Sequence, residues 1–222
     1  MFEPTPIKVW WVGLVLVSTV LKLGLVVRLV RLYHQHQYPL PCFGLYLLAA
    51  TAASIIRGDK WSMAGEIILA LMGVAFVSET LWIVNCLIQQ PGWAKIFAWA
   101  VGALVAITIL HAAPEPYPGY AHSLFYLRLY STAVFLGASL GAAALSLTKL
   151  KRQPFLLHNL IMIPWFAATL WGLFGRALGV DRWDVRITST IIWIVCLSAW
   201  HLSVIPPLNG RVQFPLKVHQ GV

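Results

Sequence analysis

Apolar residues run along this chain in long stretches separated by short polar segments. A helix that crosses a bilayer needs about 20 predominantly apolar residues. By that measure, residues 9–30, 40–56, 62–88, 93–112, 122–147, 155–178 and 187–205 predict seven membrane helices. The second is short and rich in alanine, with Pro39 and Pro41 at its start and Arg57-Gly58-Asp59-Lys60 at its end. A re-entrant second segment, leaving six spans, is the alternative. Pro164 interrupts the sixth stretch. The connections are a Pro91-Gly92 turn, a proline-rich segment at 113–120, a basic segment at 149–154 and a small charged loop at 179–184. None reaches the about 50 residues that a folded soluble domain requires. The pattern predicts an all-α fold: a polytopic membrane helical bundle, with residues 1–222 forming a single transmembrane domain.

Composition narrows the class further. Hydrophobic residues make up 59% of the chain and charged residues 10%, and the mean hydropathy is +0.78. A soluble domain is roughly 45–50% apolar and about 25% charged. A soluble globular domain is therefore excluded, and so is intrinsic disorder. The start, Met1-Phe2-Glu3-Pro4, lacks the basic region of a signal peptide, and no small-residue cleavage site ends the first stretch. That stretch is expected to remain as an anchor.

The formal charge of +9 comes mostly from residues at the ends of the apolar stretches. There it sets orientation and meets lipid phosphates, rather than nucleic acid. One side gathers Arg28, Arg31, Lys95, Lys149, Lys151, Arg152, Arg211 and Lys217; the other gathers Lys8, Arg57, Lys60, Arg176, Arg182 and Arg186. Eight basic residues against six predict an N-terminus outside and a C-terminus inside a cell inner membrane or its equivalent. Cys42, Cys86 and Cys196 show no metal-binding spacing and read as buried thiols.

Polar residues inside apolar stretches carry the candidate chemistry. A charge near mid-bilayer costs about 2.5–3.5 kcal/mol unless it is paired, reaches the interface or faces a cavity. Lys22 and Glu79 each fall about two-thirds along parallel spans, so a Lys22–Glu79 ion pair is expected at shared depth. Snorkelling of Lys22 is the alternative. Arg128, between Tyr126 and Tyr130, is expected at outer headgroups, an anionic lipid or a partner carboxylate. His158 and His201 fall near the same end of the sixth and seventh spans, where facing imidazoles would ligate a b-type haem, or one a chlorophyll-type pigment. His111 and His122 flank an interfacial loop, while His34 and His36 read as loop residues. The deeper tryptophans, Trp82, Trp99, Trp165, Trp171, Trp193 and Trp200, are candidates to line an apolar ligand or pigment cavity, with ordinary packing or lipid contact as the alternative. Gly137-Ala-Ser-Leu-Gly141 is a GxxxG packing face, and Ala49, Ala50, Ala53 and Ser54 form a second small-residue face.

Known seven-helix families fail at the residues that define them. The span at 187–205 has no lysine, which excludes a retinal Schiff base of the microbial rhodopsin kind. The third and seventh spans lack the signature triplet and Asn-Pro of G-protein-coupled receptors. The layout is similar to seven-helix sensor modules of bacterial histidine kinases in helix count and direction alone. The leading functional expectation is a non-catalytic membrane subunit docking within a larger assembly through helix, lipid or pigment contacts. Its partners would be membrane lipids and other membrane subunits, with no nucleic acid. The alternatives are an electron carrier with haem b at His158 and His201, and a small transporter or sensor built around Glu79.

Overall fold

The computed structural model describes residues 6–34, 41–56, 63–87, 92–116, 122–147 and 156–203. The loop at 57–60, Trp61, the segment at 149–154, His36, Arg211 and Lys217 lie outside the described residues, as do the side chains of Lys8, Trp82 and Cys86. Among the described residues seven helices form: α1 Pro6–His34, α2 Pro41–Ile56, α3 Met63–Leu87, α4 Gly92–His111, α5 His122–Leu147, α6 Leu156–Ala177 and α7 Arg182–Ser203. Six of them are long and apolar enough to cross a membrane, which makes this a membrane protein. α2, at 16 residues, is the shorter apolar helix.

Local chemistry sets the helix ends. Pro6 and Pro41 open α1 and α2, where a missing N–H costs nothing and the fixed φ suits the first turn. α6 ends at Gly179, whose φ of +81° turns the chain back. Val180 N–H donates to Gly175 O at 2.9 Å and Gly179 N–H to Arg176 O at 3.2 Å, the two bonds of a Schellman motif. Asp181 then caps α7, its carboxylate accepting from Trp183 N–H at 2.7 Å. α7 therefore starts at Arg182, and the second half of the expected charged loop is its first turn. His34 is likewise the last residue of α1 rather than part of a loop. Pro164 lies inside a continuous α6. It removes one backbone bond on an exposed face, a loss that membrane helices tolerate when neighbours supply packing.

Six helices close into a ring in the order α1, α2, α3, α5, α6, α7 and back to α1. α4 stands outside the ring and packs chiefly on α5, with Val84 of α3 sharing the small apolar cluster of Ala98, Ala142 and Leu145. That seam is made of glycine. A Cβ on Gly137 would overlap the Gly102 carbonyl, and a Cβ on Gly102 would overlap the Gly137 carbonyl. A Cβ on Gly141 would meet the Trp99 ring at 2.8 Å. The GxxxG face thus serves close approach of α4 and α5 within the chain.

The densest core occupies the half of the ring where α1, α3, α5 and α7 end. Phe43 and Phe76 stack at 4.7 Å, Trp200 meets Phe43 edge-on at 4.8 Å, and Trp165 lies 5.3 Å from Trp200. Offset and edge-to-face rings of this kind add to their area burial. At the opposite end, Arg186 lies over Trp11 and Trp183, 5.0 and 5.3 Å from their centroids, and ties α1 to α7.

Candidate functional site

Toward the end where α1, α3, α5 and α7 begin, the ring does not fill. Alanines at Ala50 and Ala53 of α2 and Ala70 of α3 are too small to reach the facing helices, and they line a cavity of about 50 Å³. The alanine run of α2, expected as a packing face, thereby also makes room. Every ring helix contributes: Lys22 from α1, Ala50 from α2, Glu66 from α3, Arg128 from α5, Thr169 from α6 and Trp193 from α7. α4 contributes nothing.

The charges on this cavity are deeply held. Lys22 is 2% exposed and Glu66 3%, and the Arg128 side chain is 15% exposed. Arg128 Nη1 stands 3.9 Å from Glu66 Oε1, an ion pair across the α3–α5 seam. Arg128, expected from sequence at outer headgroups, an anionic lipid or a partner carboxylate, stands beside a carboxylate of this chain. Its stem points into the ring. Glu66 lies in the first turn of α3 and Arg128 in the second turn of α5, so two parallel helices place them at similar depth. Lys22 lies near the middle of α1, and helix side chains tilt back toward the N-terminal end. Its ammonium leans toward the level of that pair and sits 5.9 Å from the Trp193 centroid.

The aromatic wall is cross-linked by hydrogen bonds. Trp165 Nε1 donates to Tyr46 Oη at 3.1 Å, and Trp193 Nε1 donates to the Trp165 carbonyl at 3.2 Å. Ser131 and Thr169 donate to the carbonyls of Arg128 and Trp165 on their own helices, at 3.2 and 3.3 Å. Tyr46 and Thr132 bring further hydroxyls to the lining, and its charged donors are the two cations.

The structure sets the other sequence-derived candidates apart from this cavity. Glu79 accepts from the Cys42 N–H at 3.1 Å, capping the first turn of α2 from the neighbouring α3. A carboxylate there completes an orphan donor and meets the positive end of the helix. Lys22 lines the cavity with Glu66, and Glu79 does not line it.

His158 is 0% exposed and its ring packs against Phe43, Phe76 and Trp200, with centroids 5.2, 5.7 and 5.9 Å away. His201 turns to α1, where its Nε2 donates to the Leu21 carbonyl at 2.9 Å. Consecutive residues on a helix point about 100° apart. Because Trp200 faces His158, His201 faces elsewhere, so the two imidazoles share no gap and the pair does not fit bis-imidazole haem. Arg28 Nη1 donates to the His201 carbonyl at 2.9 Å, satisfying a C-terminal acceptor of α7. His111 and His122 are both exposed, at the end of α4 and the start of α5.

Glu66 is the site residue that sequence reasoning passed over. Its signal was available: Glu66 and Arg128 fall within two turns of the starts of two parallel spans. Compared with known proteins, the chain matches no protein-family model, no curated protein and no solved structure.

Proposed function

We propose that this protein is a membrane-embedded binding protein of the carrier or sensor class, with its ligand site in the charged cavity of the six-helix ring. One observation carries the reading: three ionisable side chains from three helices face a shared, partly empty space inside an otherwise apolar ring. Ionisable groups in a membrane bundle are expensive, at about 2.5–3.5 kcal/mol each on insertion scales. A purely structural contact is made as well by packed apolar residues, which often stabilise more than the buried ion pair they replace. The charges are therefore read as serving a ligand. In this reading α2 completes a seventh crossing, the N-terminus lies outside and the C-terminus inside. The host is a cell inner membrane or its equivalent.

A panel of four-carbon probes tests the site: butyrate, butyramide and butylammonium, added to the detergent-purified full chain and to an Ala50→Phe variant that fills the cavity. At least one charge class raises the melting temperature of the wild type and leaves the filled variant unmoved, because a ligand that binds only the folded state stabilises it. If no probe shifts the wild type, or if all shift both proteins equally, the reading fails.

A second reading is favoured by α4. Among the described helices it packs chiefly on α5, and Trp93, Ile96, Phe97, Leu104 and Ile107 stand exposed along it. A helix so placed suits a non-catalytic subunit that docks against another membrane chain. Cross-linking from α4 positions in native membranes tests it: a discrete heteromeric product supports docking, and lipid adducts alone oppose it.

A further inference from the structure

We propose that the cavity selects small monocarboxylates with a short apolar tail, the carboxylate held between Arg128 and Lys22 and the tail against Trp165 and Trp193. This rests on the binding reading above and gives it a ligand class. The first argument is charge. The walls carry two cations and one carboxylate, a formal excess of one positive charge. A monoanion brings the enclosed charge to zero. A dianion such as phosphate leaves a net negative charge in a low-dielectric site, and an amine adds to the excess. Mismatch of either sign is penalised steeply where water is scarce.

The second argument is shape. A guanidinium presents a planar fork that matches a carboxylate with two parallel hydrogen bonds, whereas an ammonium is a compact point charge. Arg128 and Lys22 supply one of each on different helices. The Glu66 oxygen is 3.9 Å from Arg128 Nη1, beyond the about 2.7–2.9 Å of a charge-assisted hydrogen bond. Glu66 thus positions and partly neutralises Arg128. The Ser131 and Thr169 hydroxyl hydrogens are directed to backbone carbonyls, and the charged donors open to an anion's recognition are the two cations.

The third argument is the tail. Away from the charges the lining is aromatic and aliphatic, with Phe135, Trp165, Phe166 and Trp193 around the alanines of α2. An apolar tail of a few carbons gains burial there, and a second charged group on the ligand finds only Glu66.

Calorimetric titration of the detergent-purified full chain decides among the classes, with butyrate, butyramide, butylammonium, 4-aminobutyrate and inorganic phosphate as probes. Butyrate binds at least tenfold more tightly than each of the other four. Lys22→Met weakens butyrate at least tenfold. Glu66→Gln strengthens it severalfold, because the competing carboxylate is gone, and that opposite sign is not the mark of a misfolded variant. If Lys22→Met does not fold, the Glu66→Gln result alone decides. Equal binding of butyrate and butyramide overturns the proposal, as does a weaker butyrate complex in Glu66→Gln. Tightest binding of butylammonium or 4-aminobutyrate, lost in Glu66→Gln, overturns the carboxylate class while leaving the cavity a binding site. Silence from all five probes overturns both readings.

Discussion

Arg128 and Glu66 face each other at 3.9 Å inside the ring, on helices α5 and α3 that are adjacent in space and separated by α4 in sequence. α4 is displaced to the outside of α5, which lets the acid of the third helix and the base of the fifth meet across one seam. The pair is held where water screens little, so the two charges depend on each other. Glu66→Gln or Arg128→Gln alone leaves one buried charge without its nearest opposite. Each is expected to cost about 3 kcal/mol, the scale for breaking a buried pair. The double variant Glu66→Gln/Arg128→Gln recovers at least half of that. Denaturant or thermal unfolding in one detergent measures all three. A double variant whose loss equals the sum of the singles shows that the pair is not coupled.

Lys22 is expected to couple to Glu66 more strongly than to Glu79. Lys22 and Glu66 line one cavity, while Glu79 is engaged at the first turn of α2. Double-mutant cycles with Lys22→Met, Glu66→Gln and Glu79→Leu separate the two. A coupling of about 1 kcal/mol or more is expected for Lys22 with Glu66, and additivity within about 0.5 kcal/mol for Lys22 with Glu79. Glu79→Leu costs about 1 kcal/mol by itself, the value of a lost helix cap, whether or not Lys22 is present. A larger coupling of Lys22 to Glu79 would support the pair expected from sequence.

The helices were legible because lipid solvent demands long apolar runs. The predicted 122–147 is the observed α5, and the third and fourth stretches differ from α3 and α4 by one residue at each end. The start of α7 was missed by five residues because Arg182, Trp183 and Asp184 read as polar loop, while the Asp181 cap and the arginine–tryptophan stack let them join the helix. The site was less legible. Hydropathy places a charge in depth but not in rotation, and the hydrophobic periodicity that would fix rotation fades when lipid and core are both apolar. Depth alone made Glu79 the partner of Lys22 and made His158 face His201. Rotation about α3 and α7 brings Glu66 to the cavity and turns His201 to Leu21.

Helix number and orientation have a direct test at the two termini. Seven crossings put a reporter fused before Met1 and one fused after Val222 on opposite sides of the membrane, with the C-terminal one inside. The short α2 is the helix on which this turns, since its 16 residues rise only about 24 Å at 1.5 Å each. Same-side reporters would mean that α2 enters and leaves by one face. Opposite reporters with the C-terminus outside would mean that the charge bias of eight to six does not set the orientation.

The α4–α5 seam makes the sharpest steric prediction. In Gly137→Ala the new methyl meets the Gly102 carbonyl, and in Gly102→Ala it meets the Gly137 carbonyl. A carbonyl inside a helix cannot rotate away as a flexible side chain does, so the helices must separate. Separation thins the dispersion contacts that hold membrane helices together, since lipid tails oppose them with no hydrophobic gain. Each substitution is expected to cost about 2 kcal/mol, in the range for overpacking a close-fitting interface. Because both act on one contact, the double variant loses less than the sum. Gly13→Ala is the matched control: nothing lies within 4 Å of its added methyl, and alanine favours helix, so it is neutral or stabilising by up to about 1 kcal/mol. A disulfide cross-link engineered between α4 and α5 reads the separation directly, forming more slowly in Gly137→Ala and unchanged in Gly13→Ala. Equal stability and equal cross-linking of the two variants would show that α4 is not seated on the glycine face of α5.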